Sequence, residues 1–274
     1  MADSSTPQPP KVHNCCLKAF EWDGTPSGTE TTIPGTSQPA YVVTGSGSTN
    51  PDAGPAILMV HDLFGWTFPN NRLLADHYAR EMGAAVYLPD FFVGEVVPFE
   101  PLLAGRFEEL DLAGWLARNG RAVREPEIFT YARALRGKHT RLGAVGFCYG
   151  GWAVFRLGAA SSKVEDVEGE GGDRSLVDAI SAGHPSMLTK EDIEGLAVPM
   201  QMLAPEIDEA YSPELKAFTF TTLQRAGQAP WEYLHFPGAE HGCLARGDAL
   251  KKGEREAMVR GKNAVVAWMS QHLF

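Results

Sequence analysis

The chain has 274 residues, 44% of them hydrophobic and 21% charged, an ordinary globular composition with ample apolar material for a core. A formal net charge of -10, with no basic run longer than Lys251–Lys252, excludes nucleic acid as an expected partner. No apolar run of about 18 residues is present to span a bilayer, and the opening "MADSSTPQPPKVHNCC" lacks the apolar core of a signal peptide. These features lead us to expect a soluble, cytoplasmic protein with no membrane partner. The four cysteines, Cys15, Cys16, Cys148 and Cys243, fit neither a disulfide framework nor a metal knuckle. Reduced thiols are expected, with no metal and no cofactor.

Residues 1–13 are rich in Ser, Thr and Pro and read as disordered. A partly disordered extension is expected over 1–39, with one domain over 40–274. "AYVVTG" (40–45) is a short strand. "PAILMVHD" (55–62) is an apolar run ending in polar residues, a buried strand. Residues 70–83 carry helical spacing and stop at Gly83. "AAVYLPD" (84–90) is the next strand, and 105–119 and 125–137 read as helices. "RLGAVGF" (141–147) is a strand and 149–160 a helix. The acidic, Gly-rich 163–175 segment reads as a solvated insertion. Strands follow over 176–185 and 198–208, a helix capped by Ser212 over 212–227, a strand over 231–238 and a closing helix over 254–274. Strands alternating with helices imply βαβ units and a mainly parallel sheet covered on both faces. Trp66, Trp152 and Trp268 read as core.

"GAVGFCYGG" (143–151) carries the chemistry. Cys148 lies two residues from Gly146 and from Gly150, between a strand and a helix. A nucleophile elbow requires that context, because side chains at the flanking positions would collide with neighbouring elements. The turn places the thiol at a helix N-terminus, whose unpaired N–H groups favour a thiolate and a developing oxyanion. A buried packing cysteine is the alternative. Elbow enzymes present nucleophile, acid and histidine in that order. The first acids past a strand end are Glu206, Asp208 and Glu209, and Asp208 is preferred because its shorter carboxylate lies further beyond the strand. His241, in the loop between the last strand and the last helix, is the expected base. His235 sits inside a strand, His272 in the final helix, and His184 precedes the acid.

"HDLFGW", "YLPDFF", "GFCYGG", "AGHPS" and "HGCLARGD", in this order, resemble the dienelactone hydrolase family, and "NCCLKAFEWDGTPSG" resembles its fungal branch. The resemblance implies an α/β-hydrolase fold and a triad of Cys148 as nucleophile, His241 as base and Asp208 as its orienter. It also implies an oxyanion hole made by the amides of Leu63 and Tyr149. Asp62 matches a position that is glutamate in the bacterial enzymes, where it contacts the thiol; accepting hydrogen bonds from its own turn is the alternative. An arginine four residues past the histidine binds a substrate carboxylate in the bacterial pattern. Here Arg246 stands five residues past His241, and a surface ion pair with Asp248 is the alternative. Arg106, Arg118, Arg121 and Arg124 compete for a second carboxylate-binding role. Phe99, Leu102, Leu103 and Trp115 are candidates to wall an apolar pocket, with core packing as the alternative.

The expected activity is cysteine-dependent hydrolysis of a small lactone, ester or thioester. Two rivals stand beside it: a small-molecule tailoring enzyme that dehydrates, isomerises or cyclises with His241 and Asp62 as acid and base, and a non-catalytic binder. Oligomeric state is not readable from the sequence.

Overall fold

The computed structural model describes residues 20–45, 53–95, 97–98, 100–101, 104, 106–165, 173–227 and 229–274. The expected disorder of 1–13, the two N-terminal cysteines, and Phe99, Leu102 and Leu103 lie outside the described residues, as does most of the acidic insertion.

The strands are β1 (Thr29–Thr32), β2 (Pro39–Thr44), β3 (Ala56–Val60), β4 (Ala85–Pro89), β5 (Leu142–Phe147), β6 (Lys163–Glu165), β7 (Asp173–Ser175), β8 (Ala179–Gly183), β9 (Met200–Ile207) and β10 (Trp231–Glu240). The helices are α1 (Pro69–Met82), α2 (Leu112–Asn119), α3 (Arg121–Lys138), α4 (Gly150–Leu157), α5 (Lys190–Glu194), α6 (Pro213–Ala226), α7 (Cys243–Arg246) and α8 (Glu254–Leu273). Among the described residues eight strands form one sheet, ordered β1-β2-β4-β3-β5-β8-β9-β10. β1 and β2 join it antiparallel, and every pairing from β4 to β10 is parallel.

The central strands β3, β4, β5 and β8 are buried at every position. That is why they read as continuous apolar runs: both faces are covered, so neither needs polar residues. One face packs on α3 and α4 through Ile128, Tyr131, Leu135, Trp152 and Phe155. The other packs on α1 and α8 through Leu74, Tyr78, Val265, Trp268 and Met269. Trp66, Trp152 and Trp268 are buried, as expected of core residues.

Several boundaries differ from the sequence expectation for local reasons. The helix expected over 105–119 is a 3-10 turn at Phe107–Glu109 followed by α2, because the Asp111 side chain accepts the Gly114 amide and starts a new helix. α3 begins upstream of the expected start and carries Pro126 inside it. The ends of the acidic insertion pair as a β6–β7 hairpin. The sheet begins at β1, inside the segment expected to precede the domain. Ser212 caps α6 as expected, accepting the Leu215 amide at 3.3 Å. No helix among the described residues is long and apolar enough to cross a membrane.

The chain runs from β3 outward to β4, then returns to β5 on the other side of β3. Such a reversal opens a crevice at the carboxyl ends of β3 and β5, where ligands bind in open α/β sheets. Asp62 follows β3 and Cys148 follows β5.

Candidate active site

Cys148 has φ = 49°, a left-handed conformation rare for a residue with a side chain. Its neighbours explain why the turn holds. A Cβ on Gly146 would stand 2.2 Å from the Gly150 carbonyl oxygen, and one on Gly150 would stand 2.1 Å from that of Val60. The Cys148 amide donates to Gly183 O at 3.0 Å, and its carbonyl accepts the Ser186 amide at 2.8 Å. These bonds tie the elbow to the loop after β8. The thiol is 3.2 Å from the Ser186 hydroxyl, which can donate to it when the sulfur is a thiolate. Ser186 comes from "AGHPS", and no spacing rule singled it out.

Asp208 and His241 follow β9 and β10, neighbouring parallel strands. The His241 amide donates to Ile207 O at 2.9 Å, which brings the two loops together. His241 Nδ1 donates to Asp208 Oδ1 at 2.9 Å, and both side chains are fully buried. Asp208 Oδ1 also accepts the amides of Ala210 and Tyr211 at 2.9 Å each. Burial acts to raise the Asp208 carboxyl. The hydrogen bond and charge of His241, with the Tyr211 amide, outweigh it and hold the group below its ordinary value. Glu206 and Glu209 point to solvent, and Glu206 accepts the Gly238 amide at 2.6 Å. Nδ1 of His241 is thus fixed as a donor, which leaves Nε2 as the basic nitrogen.

Cys148 and His241 line one narrow cavity with Phe20, Asp62, Phe64, Phe68, His184 and Arg246. Asp62 is buried, and its Oδ1 accepts the Phe64 amide at 3.0 Å and Asn71 Nδ2 at 2.9 Å. Desolvation raises its carboxyl to about 6, against those two bonds and His241. Asp62 therefore both accepts from its own turn and faces the cavity. His61 anchors the same loop: Nδ1 donates to Asp62 O at 2.8 Å and Nε2 accepts the Phe91 amide at 3.3 Å. Burial lowers its basicity to about 4, so the ring is neutral, as this pattern requires. Among the described residues, the amides of Leu63 and Tyr149 donate to no protein acceptor. The Tyr149 ring packs edge-on against Phe92, Trp115 and Trp152, and its hydroxyl donates to Asn119 O at 2.6 Å.

Trp115 is buried in that aromatic cluster and is not among the cavity-lining residues. Arg106, Arg118, Arg121 and Arg124 do not line the cavity either. Each is paired with carboxylates elsewhere: Glu100 and Glu109, Glu95, Asp192, and Glu127. Arg246 lines the cavity but is ion-paired with Glu254, both buried, rather than with Asp248. The left-handed Gly247 ends α7 and turns the chain, so that Glu254 returns at the start of α8 to meet the guanidinium.

The outer wall comes from a segment whose role carried no sequence signal. Phe20 lines the cavity, and its carbonyl accepts Asn70 Nδ2 at 2.6 Å. Asn70 Oδ1 accepts the Trp22 amide at 2.9 Å, Trp22 Nε1 donates to Arg246 O, and Asp76 accepts the Ser27 amide at 2.8 Å. Asn70 and Asn71, in the first turn of α1, are both fully buried.

A cysteine elbow, a His–Asp pair and two open amides stand together at the carboxyl edge of the parallel sheet of an α/β-hydrolase fold. The model of the Dienelactone hydrolase family matches residues 39–273, and the chain belongs to that family. It is a hydrolase acting on ester or lactone bonds. It is 26% identical to the hydrolase tropI of Talaromyces stipitatus, over 95% of this chain and 96% of that protein. It is 28% identical to a carboxymethylenebutenolidase homolog of Mus musculus, over 81% and 84%. The dienelactone hydrolase structure from Anabaena variabilis superposes with a TM-score of 0.62 at 15% identity, over 90% and 98%.

Proposed function

We propose that the protein hydrolyses a small lactone, ester or thioester through a Cys148–His241–Asp208 triad and a thioester acyl-enzyme. The observation that carries this reading is Cys148 in a left-handed turn on the wall of the cavity that His241 also lines, with His241 Nδ1 held by Asp208. His241 Nε2 takes the thiol proton and the sulfur attacks the substrate carbonyl. The tetrahedral oxyanion accepts hydrogen bonds from the Leu63 and Tyr149 amides, the latter at the N-terminus of α4. As the intermediate collapses, His241 protonates the leaving alkoxide. It then takes a proton from the water that hydrolyses the thioester. Asp208 orients the imidazole and balances its positive charge. The Ser186 hydroxyl supports the thiolate.

Asp62, His184 and Arg246 are the polar side chains beside Cys148 and His241 in the cavity, and Phe20, Phe64 and Phe68 supply its apolar lining. Tailoring chemistry without acylation is the rival reading, favoured by the elevated Asp62 carboxyl in the same cavity as His241. Cys148→Ala, assayed on a panel of lactones and aryl esters, separates the two. A fall in kcat/KM of several powers of ten supports the triad; retention of wild-type turnover supports the rival.

A further inference from the structure

Among the described residues that line the cavity, only Phe20 and Gly242 are half-exposed; the rest are buried. Those two therefore stand where the cavity meets solvent. Gly242 brings no side chain and has little freedom to accept one. Its φ is 88°, and an added Cβ would stand 3.3 Å from Arg246 Nη1. The mouth thus pairs bare backbone with a single phenyl ring. Phe20 also lies ahead of residue 39, where the match to the family begins, so the shared site of the family does not account for it.

The segment that carries the ring is anchored. Phe20 O accepts Asn70 Nδ2 at 2.6 Å, and the Trp22 amide donates to Asn70 Oδ1 at 2.9 Å. One side chain thus grips the backbone on both sides of Glu21. The same Nδ2 donates to Ala245 O at 3.1 Å, and Trp22 Nε1 donates to Arg246 O. Ala245 and Arg246 line the cavity as Phe20 does. Asn70 is fully buried, and these contacts use both its donors and its acceptor. The backbone at Phe20 cannot swing aside without leaving that amide unpaired, which is costly for a buried group.

We propose that Phe20 is a specificity-determining residue that sets the size limit of the substrate, so that the cavity takes an ester or lactone with a short carbon chain and a longer chain meets the Phe20 ring. This rests on reading the cavity as the substrate site. Phe20, Phe64 and Phe68 make the lining apolar, and burial of apolar surface favours each methylene that fits. A methylene beyond the ring must displace a packed side chain instead of water, and overfilling a packed space is unfavourable. Catalytic efficiency therefore rises with chain length as far as the ring and falls beyond it.

The test is a ratio taken within each protein, so that a general loss of activity cancels. kcat/KM of the full-length protein is measured on the p-nitrophenyl esters of acetate, butanoate and octanoate. The wild type is expected to prefer butanoate to octanoate by at least about tenfold, as displacement of one packed ring requires. Phe20→Ala is expected to erase most of that preference and Phe20→Trp to widen it. Phe20→Leu, shorter yet still apolar, gives the same reading where Phe20→Ala does not fold. A wild-type protein that accepts octanoate as readily as butanoate overturns the proposal, as does a preference that no Phe20 substitution moves. Alkylation of Cys148 by iodoacetamide and by N-octyl iodoacetamide, followed by peptide mapping, measures access without turnover. Esters left intact while Phe20→Ala favours the long reagent would remove hydrolysis and leave the size limit standing. Hydrolysis with both ratios unmoved would remove the size limit alone.

Discussion

The floor of the cavity and its outer wall are built by different means. Every group of the floor sits within two or three residues of the carboxyl end of a strand: Asp62 after β3, Cys148 after β5, His184 and Ser186 after β8, Asp208 after β9 and His241 after β10. The backbone ladder fixes their positions, and the glycines beside Cys148 leave the elbow no room to relax. The wall is made by segments far apart in the chain. Phe20 reaches it from the N-terminal side and Arg246 from the other end, and Trp22 behind them ties the two segments through its bond to the Arg246 carbonyl. A floor set by the sheet can stay constant while a wall set by a few side chains varies. On the proposed mechanism the floor carries the bond-breaking chemistry and the wall meets the rest of the substrate.

The largest expected effect belongs to the floor. His241→Ala should lower kcat by about 10^5 to 10^6, because base and nucleophile act as a unit, and Asp208→Ala by about 10^4. Glu206→Ala, near the end of β9 and facing solvent, should change kcat by less than about twofold. Steady-state rates on an aryl ester check the order. A larger loss in Glu206→Ala than in Asp208→Ala would exchange the two acids.

Asp62 offers a stability test of the same comparison. Its carboxyl is raised from 3.8 to about 6, so the folded state holds its proton more tightly than the unfolded chain. Stability therefore falls as pH rises from about 4 to about 6, and the ionised group costs up to about 3 kcal/mol above that window. Asp62→Asn keeps an oxygen to accept the Phe64 amide and Asn71. It should raise Tm at pH 8 and leave it nearly unchanged at pH 4. It should also lower activity if the carboxylate serves the substrate, the trade expected where strain is kept for function. Thermal melts at the two pH values give the result; equal shifts at both would place the effect in packing instead of charge.

The wall should respond least. Trp22→Phe removes the indole donor to Arg246 O and keeps the ring, so a loss of about 0.5–1.5 kcal/mol in unfolding free energy is expected. KM should rise while kcat stays within about twofold, since the wall adds binding that the ground and transition states share. A fall in kcat comparable with that of Asp208→Ala would erase the division between wall and floor.

The same division governs what was legible in the sequence. Buried parallel strands announce themselves as apolar runs, and the Gly146–Cys148–Gly150 spacing marks a turn that few other sequences permit. Asp208 and His241 followed from their order behind the elbow, and Asp208 Oδ1 meets His241 Nδ1. Nothing comparable marks the wall. Asn70 holding Phe20 and Trp22, or Glu254 capturing Arg246, depends on single side chains meeting across the fold with no period or fixed offset. The Arg246 partner was sought at Asp248, two residues away, because only the left-handed turn at Gly247 sends the chain round to Glu254. Trp115 was placed near the substrate by its position in the 91–121 segment, whereas it lies in the aromatic cluster under Tyr149. Ser186 and His184 share "AGHPS", where a strand end gives no sign of which side chains will face the elbow.

The acyl-enzyme on Cys148 is the most direct test of the account. Wild-type protein is mixed with a slowly deacylating aryl ester, quenched in acid within milliseconds to seconds, and its intact mass measured before peptide mapping. The expected result is a mass increase equal to the acyl group, located on the peptide containing Cys148. It should form in step with a burst of released phenol and be absent in Cys148→Ala. Full turnover with no adduct in the wild-type protein, and the same rate in Cys148→Ala, would contradict a nucleophilic role for the cysteine.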